Sequence, residues 1–292
     1  DQRKSYVTNL LNQDGIKVVH TLDEITYKPH SLYIYSSAIP IESDRFEDFH
    51  DKENVLSRPE YLKNLSENHK IIGITGTHGK TSTTALLSHI FHFNNVNVSY
   101  LYGGITTFNG IGGHYGDPDQ PLILETDEAF NTFEKIKISD LLVLNVDSDH
   151  LDYFKNLDNY KDAFYKVMKN VTDNLVINND DLNIKSMKEL KNPVSYGKDI
   201  AADFKVQSPG TFIYENNKYE IKSDIIGDHF KANMLGAIIL ALLNGIEIKD
   251  SLNAIESFAG VKRRIELIGI SKGVLIYDDY GHHPTEMEAT IT

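Results

Sequence analysis
The sequence predicts an α/β fold built on a mostly parallel sheet, and three observations lead to it. Before Val194, short apolar runs alternate with stretches of helical spacing. Several of those runs end in a polar loop. Ile71-Ile72-Gly73-Ile74 leads into Thr75-Gly76-Thr77-His78-Gly79-Lys80, and Leu122-Ile123-Leu124 into Glu125-Thr126-Asp127-Glu128. The run 141–146 ends in Asp147-Ser148-Asp149-His150, and Leu175-Val176-Ile177 in Asn178-Asn179-Asp180-Asp181. After Val194 the runs at 204–206, 211–214 and 219–221 are short, with Glu215-Asn216-Asn217 as a turn, which reads as a small antiparallel region.

Taken in order, residues 5–13 have helical spacing, Ile16-Lys17-Val18-Val19 reads as a strand, and Leu32-Tyr33-Ile34-Tyr35 as another. A connecting helix begins at Arg58-Pro59-Glu60 and leads to the Ile71 strand. Further helices are expected over about 231–244, with Leu235, Ile238, Ile239 and Leu242 on one face, and over 250–258. A last strand, Val274-Leu275-Ile276-Tyr277, ends in Asp278-Asp279-Tyr280-Gly281-His282-His283-Pro284. Ligands of open parallel sheets bind at the carboxyl ends of strands, so the polar loops are expected to face one crevice.

The loop after the Ile71 strand carries the strongest chemical signal. Gly76 and Gly79 allow a tight turn whose backbone N–H groups converge on phosphate oxygens, and the following helix adds a favourable field. Lys80 supplies a cation for terminal phosphates and Thr81 a hydroxyl for the accompanying magnesium. The general pattern G-x-x-x-x-G-K-S/T is not strictly met, because Ile74 occupies its first glycine position.

Composition narrows the function classes. The 292 residues suffice for two domains, and 40% hydrophobic with 24% charged residues is ordinary for a globular chain. A net charge of −13 argues against broad binding to nucleic acid or an anionic membrane. With no cysteine there is no disulfide, thiolate metal site or thiol nucleophile, which fits a cytoplasmic location. No apolar run reaches membrane-spanning length.

Residues 75–83 match throughout the nucleotide loop of the Mur ligases, T-G-T-x-G-K-T-T/S-T, and His78 resembles the branch that handles UDP-N-acetylmuramic acid. Five further segments resemble that family, in its order. Glu125-Thr126-Asp127-Glu128-Ala129-Phe130 is similar to E-x-D-E-x-D, with Phe130 replacing the last aspartate. Asn145, Asp149 and His150 match N-x-x-x-D-H. Gly227, His229 and Asn233 match G-x-H-N-x-x-N, with Phe230 in place of the first asparagine, either stacking on a base or packing in the core. Residues 260–266 match G-x-x-R-R-x-E, and residues 278–286 match D-D-Y/F-A/G-H-H-P-T/R-E.

The resemblance implies a P-loop-type ATPase domain, with part of a Rossmann-like domain before it and the start of a third α/β domain after it. The implied division is 1–57 for the uridine-nucleotide domain, 58–264 for the ATP-binding domain and 265–292 for the amino-acid-binding domain. Implied ATP contacts are Gly76, Thr77, His78, Gly79, Lys80, Thr81 and Ser82 from the loop, and His229, Asn233, Arg264 and Asp279 beyond it. Lys80, Glu128 and His150 are the implied catalytic residues. Thr81 and Glu128 would hold one magnesium and His150 a second, while His282 would meet the substrate.

A solvated loop is the plain alternative for Glu125, Asp127 and Glu128, and pairing with Glu266 the plain alternative for Arg264. Adjacent His282 and His283 rarely converge on one transition metal in a sharp turn. The implied activity joins L-alanine to the lactyl carboxylate of UDP-N-acetylmuramic acid through an acyl phosphate, in the synthesis of peptidoglycan. Its alternatives are the same chemistry on a tripeptide amine, and a nucleotide-binding module without ligase activity. The pattern lacks the family's opening glycine-rich turn and most of its third domain, so residues 1–292 alone are expected to turn over little. Lys80→Ala is expected to remove activity while leaving the fold intact. No residue pattern speaks to the oligomeric state.

Overall fold
The computed structural model describes residues 4–21, 24–36, 39–106, 108, 110–147, 151–187, 190–281 and 287. The chain divides into two compact units, Asp1–Leu65 and Ser66–Thr292.

In the first unit, α1 (Tyr6–Gln13) is capped by Ser5, whose hydroxyl accepts from the Thr8 N–H while the Thr8 hydroxyl accepts from the Ser5 N–H. Strand β1 (Tyr33–Tyr35) pairs in parallel with β2 (Val55–Ser57), and α2 (Arg58–Asn68) begins directly after it. The expected strand at Ile16–Val19 does not form. Its donors serve the end of α1 instead: Ile16 N–H reaches Leu11 O at 2.8 Å, and Val18 N–H reaches Asn12 Oδ1 at 3.2 Å. The partner that β1 does take, β2, is only three residues long and gave no periodic signal.

The second unit is built on one ten-stranded sheet. In chain order its elements are β3 (Ile71–Thr75), α3 (Lys80–Phe93), β4 (Ser99–Leu101), β5 (Gly113–His114) and β6 (Leu122–Glu125). Next come β7 (Asp140–Val143), α4 (Leu151–Phe154), α5 (Leu157–Lys169), β8 (Asn174–Asn178), α6 (Leu182–Lys185) and β9 (Val194–Gly197). Strands β10 (Phe204–Ser208), β11 (Thr211–Tyr214) and β12 (Asn217–Glu220) follow, then α7 (Asp228–Leu243) and α8 (Ile248–Glu256). A separate hairpin, β13 (Glu266–Ser271) with β14 (Val274–Asp278), closes the described chain. The strand order is β12-β11-β10-β9-β8-β7-β3-β6-β4-β5. From β10 to β4 every neighbour pair is parallel, and the antiparallel strands β11, β12 and β5 lie at the two edges. The predicted mixed α/β class, with its small antiparallel region, is the observed one.

Strand β3 is buried at all five positions, as a central parallel strand covered on both faces must be. Ile72, Ile74, Ile123, Leu142 and Val176 share one core with the inner faces of α3 and α7. Helix α7 comes close to the sheet because Gly236 has no side chain; a Cβ there would lie 2.8 Å from Leu142 Cδ1 and 3.1 Å from Tyr196 Oη. It starts at Asp228, earlier than the spacing predicts, since its polar first turn hides the period. The run at 141–146 leaves the ladder after Val143, and the Val146 N–H turns to Asp181 Oδ2 at 3.1 Å.

Register decides where chemistry can sit. Ile74 pairs with Glu125, Thr75 with Val143, and Val143 with Ile177. The loops that begin at Gly76, Thr126, Leu144 and Asn179 therefore leave the sheet side by side at its carboxyl edge.

Two predictions follow from this packing. Gly236→Val should overpack the α7–sheet contact and lower the urea unfolding free energy by about 1–3 kcal/mol. His89 and His92 on α3 sit among Phe108, Phe258, Tyr100 and His114, and burial lowers both pKa values from 6.5. A lowered histidine pKa means that the unfolded chain binds more protons, so this stability is complete above pH 6.5 and lost as pH falls through the folded values. Urea melts at about pH 7.5 and about pH 5 should show that loss, and the double variant His89→Gln/His92→Gln should show less of it.

Candidate nucleotide site
The turn between β3 and α3 is shaped by two left-handed glycines. Gly76 has φ +143° and Gly79, the residue before α3, has φ +84°. A Cβ on Gly76 would lie 3.0 Å from Leu144 Cβ, and one on Gly79 would meet the Asn233 amide. The loop thus forms a cradle open to a ligand's oxygens and closed to side chains. Asn145 fixes its middle: the His78 N–H donates to Asn145 Oδ1 at 2.8 Å, and Asn145 Nδ2 donates to His78 O at 3.0 Å. Thr77 Oγ1 accepts from the Asp147 N–H at 2.8 Å and lies 3.1 Å from Tyr160 Oη. The His78 ring lies 3.5 Å from Asp147 Oδ2.

Lys80 folds back over the loop. Its ammonium donates to Gly76 O at 2.7 Å and Thr77 O at 3.2 Å, and lies 2.9 Å from both carboxylate oxygens of Glu128. Glu128 is fully buried; desolvation pushes its pKa up, opposed by the Lys80 charge. The Tyr160 hydroxyl, also buried, donates to Glu128 Oε1 at 3.3 Å. The acidic run is therefore not a solvated loop as a whole. Asp127 turns away and accepts from the Ala129 N–H at 3.0 Å, and Glu125 accepts from the Thr81 hydroxyl at 2.8 Å.

Against the loop at His78 and Gly79 lies a cleft of about 480 Å³. His78, Gly79 and Ser82 line one wall, with His229 and Asn233 from the first turns of α7. Arg264 and Asp279 line it too. Arg264 does not pair with Glu266, which accepts from the Arg263 N–H; its guanidinium lies 5.3 Å from the Tyr280 ring centroid. Asp279 braces that corner, accepting from the Ile265 N–H at 2.8 Å and the Gly281 N–H at 2.6 Å. Burial lowers the pKa of His229, opposed by the charges of Asp279 and Asp228. Phe230 packs against the core, one of the two expectations for it, and also lines the cleft. His150 and His282 lie outside the described residues, as do Asp149 and His283.

Asn178, Asp180 and Asp181 also line the cleft. The sequence shows them as a crevice loop but not as individual site residues, and the signal available was their place after a buried strand. Tyr160 carried no such signal, because one tyrosine in an amphipathic helix reads as core.

Among the described residues no group of three or more His, Asp or Glu side chains is arranged to hold a metal. Magnesium does not require one. It takes few protein oxygens and completes its shell with water and phosphate, and the Thr81 hydroxyl with the Glu128 carboxylate is a donor set of that kind. The residues present fit both the nucleotide and the ion.

Residues 74–241 match the Mur ligase middle domain. The chain is 35% identical over 307 residues to the UDP-N-acetylmuramate–L-alanine ligase of Clostridium botulinum, spanning 100% of this chain and 67% of that protein. It is 32% identical to the ligase of the same name from Dictyoglomus turgidum, spanning 100% of this chain and 66% of that protein. Among solved structures, UDP-N-acetylmuramate–alanine ligase from Thermotoga maritima superposes with a TM-score of 0.81 at 24% identity, over 99% of this chain and 69% of that one. A murein peptide ligase from Psychrobacter arcticus gives 0.73 at 22% identity, over 97% and 67%. These matches agree with the sheet, and the chain belongs to the Mur ligase family.

Proposed function
We propose that this protein is an ATP-dependent ligase that joins L-alanine to the lactyl carboxylate of UDP-N-acetylmuramic acid, a cytoplasmic step of peptidoglycan precursor synthesis. The observation that carries the reading is the Lys80–Glu128 pair set inside a glycine cradle at the sheet's carboxyl edge. The relatives named for L-alanine ligation support the amino substrate. In this reading residues 1–57 belong to the domain that holds the uridine nucleotide, 58–264 to the ATP-binding domain, and 265–292 to the start of the amino-acid-binding domain. No helix among the described residues is long and apolar enough to cross a membrane.

A carboxylate is a poor electrophile, so it is first phosphorylated by ATP with loss of ADP. The alanine amine then attacks the acyl carbon, phosphate leaves and the amine loses a proton. The chain's part is positioning and charge neutralisation. The backbone of residues 76–80 would take the phosphates, and Lys80 would move its charge from Glu128 to them. His229 and Asn233 would lie by the base, and Arg264 with Asp279 would close the cleft. Thr81 and Glu128 would hold one magnesium and His150 a second; bound there, the ions would offset phosphate charge.

The direct test is isothermal titration of ATP with and without magnesium, together with phosphate release from ATP in the presence of UDP-N-acetylmuramic acid. Magnesium-dependent binding by residues 1–292 and, in the full-length ligase, phosphate release that needs L-alanine are expected. Release driven equally by a murein tripeptide favours the alternative substrate, and absence of nucleotide binding overturns the reading. Lys80→Ala should cut the catalysed rate by about 100-fold or more, and Lys80→Arg should restore little, since a flat fork does not replace a compact charge.

The buried Lys80–Glu128 pair adds a stability cost to the expectation that Lys80→Ala leaves the fold intact. Removing the cation strands a buried carboxylate, which should cost about 3 kcal/mol at neutral pH. The added change Glu128→Gln should recover part of that stability without recovering activity, as urea melts of the two variants would show.

A further inference from the structure
The hydroxyls of α3 do not all behave alike. Thr83 Oγ1 donates back to Gly79 O, Thr84 Oγ1 to Lys80 O and Ser88 Oγ to Thr84 O, each at 2.8 Å, the ordinary habit of a hydroxyl inside a helix. Thr81 departs from it. Its hydroxyl donates to Glu125 Oε1 at 2.8 Å, on a different strand. The other oxygen of Glu125 is equally committed, accepting the Gly103 N–H at 2.7 Å.

A threonine hydroxyl has one proton and two lone pairs. Once its proton is fixed on Glu125, its lone pairs face away from that carboxylate, and the hydroxyl is held as an acceptor for a cation. The Gly103 contact keeps the carboxylate from swinging onto the cation itself. The segment that carries this N–H is tied down in turn. A Cβ on Gly104 would lie 2.8 Å from Thr81 Cγ2 and from Val261 Cγ1, Ile105 O accepts the Lys262 N–H at 2.8 Å, and Thr106 bridges Val261. One carboxylate thus joins the Thr81 hydroxyl to a strap that runs to the segment bearing Arg264.

We infer that Glu125 is a positioning residue for the metal: it holds the Thr81 proton so that the hydroxyl oxygen presents a lone pair to magnesium, without being a ligand itself. This rests on the reading of the loop as a magnesium–nucleotide site. The role differs from that of Glu128, which meets Lys80.

The test is isothermal titration of ADP into the wild-type chain and into Glu125→Gln, across a range of magnesium concentrations and in EDTA. A glutamine offers one acceptor where two donors converge, so the magnesium concentration for half-maximal ADP binding should rise about 10-fold or more, as loss of an outer-shell partner typically does. ADP affinity in EDTA should stay as in wild type. In a Thr81→Val background, which lacks the hydroxyl, Glu125→Gln should add nothing to the magnesium requirement. Glu125→Ala, with thermal melting to check folding, provides the second variant. Equal weakening of ADP with and without magnesium, or additive effects in the Thr81→Val background, would mean a structural role and overturn the inference. Should wild type bind ADP with no magnesium dependence, the underlying reading falls and this inference with it; magnesium dependence unchanged in both Glu125 variants overturns the inference alone.

Discussion
A carboxylate with no solvent exposure stays ionised only where a cation meets it, and Glu128 is met by Lys80 at 2.9 Å on both oxygens. That pair constrains the rest of the centre. It draws Lys80 back across Gly76 and Thr77, and it sets Tyr160 behind the carboxylate. A charge held this way is poised rather than neutralised for good, since either partner gains by trading the other for a stronger counter-charge. Phosphate would suit the lysine and a divalent ion the carboxylate. The same low-dielectric pocket that makes the pair costly to break makes the exchange sensitive to what arrives.

Around the pair, the backbone does the shaping and side chains hold the backbone. Asn145 grips His78 by donating and accepting at once, as a neighbouring strand would. It does so at the point where the run after β7 has left the ladder, so the chain spends an amide side chain to continue a sheet's bonding where the sheet has ended. Gly79 and Asn233 approach so closely that the loop and the start of α7 share a surface. The glycine cradle and the wall of the cleft lined by His229 and Asn233 are thereby parts of one packed body.

How much of this could be read beforehand depends on range. The loop from Gly76 to Thr83 was legible because its chemistry is local, since glycines, lysine and hydroxyls act within one turn of chain. The sheet was legible where strands are buried runs, as at β3, β6 and β8, and illegible where they have two or three residues, as at β2, β4 and β5. Ile16-Lys17-Val18-Val19 misled because β-branched residues announce a strand only if a partner is near, and the helix end takes their donors first. The division of labour between Glu125 and Glu128 was beyond reach. It is decided by which neighbour each meets, Gly103 just after β4 or Lys80 at the end of the loop, at separations of 22 and 48 residues. Arg264 lines the cleft, and its companion is Tyr280 and not Glu266.

The hairpin of β13 and β14 sets a different kind of limit. Leu267, Ile268, Ile270, Val274, Leu275 and Ile276 are each at least 46% exposed, so both faces of the two-stranded ribbon are apolar, and among the described residues neither strand has a second partner. Such a ribbon is a template for strand addition by another molecule. What opposes it is colloidal: a chain carrying −13 charges repels its copies over a Debye length of about 10 Å in 0.1 M salt. Handling of this polypeptide is therefore governed by ionic strength, with dilute buffer keeping ribbons apart and concentrated salt letting them meet.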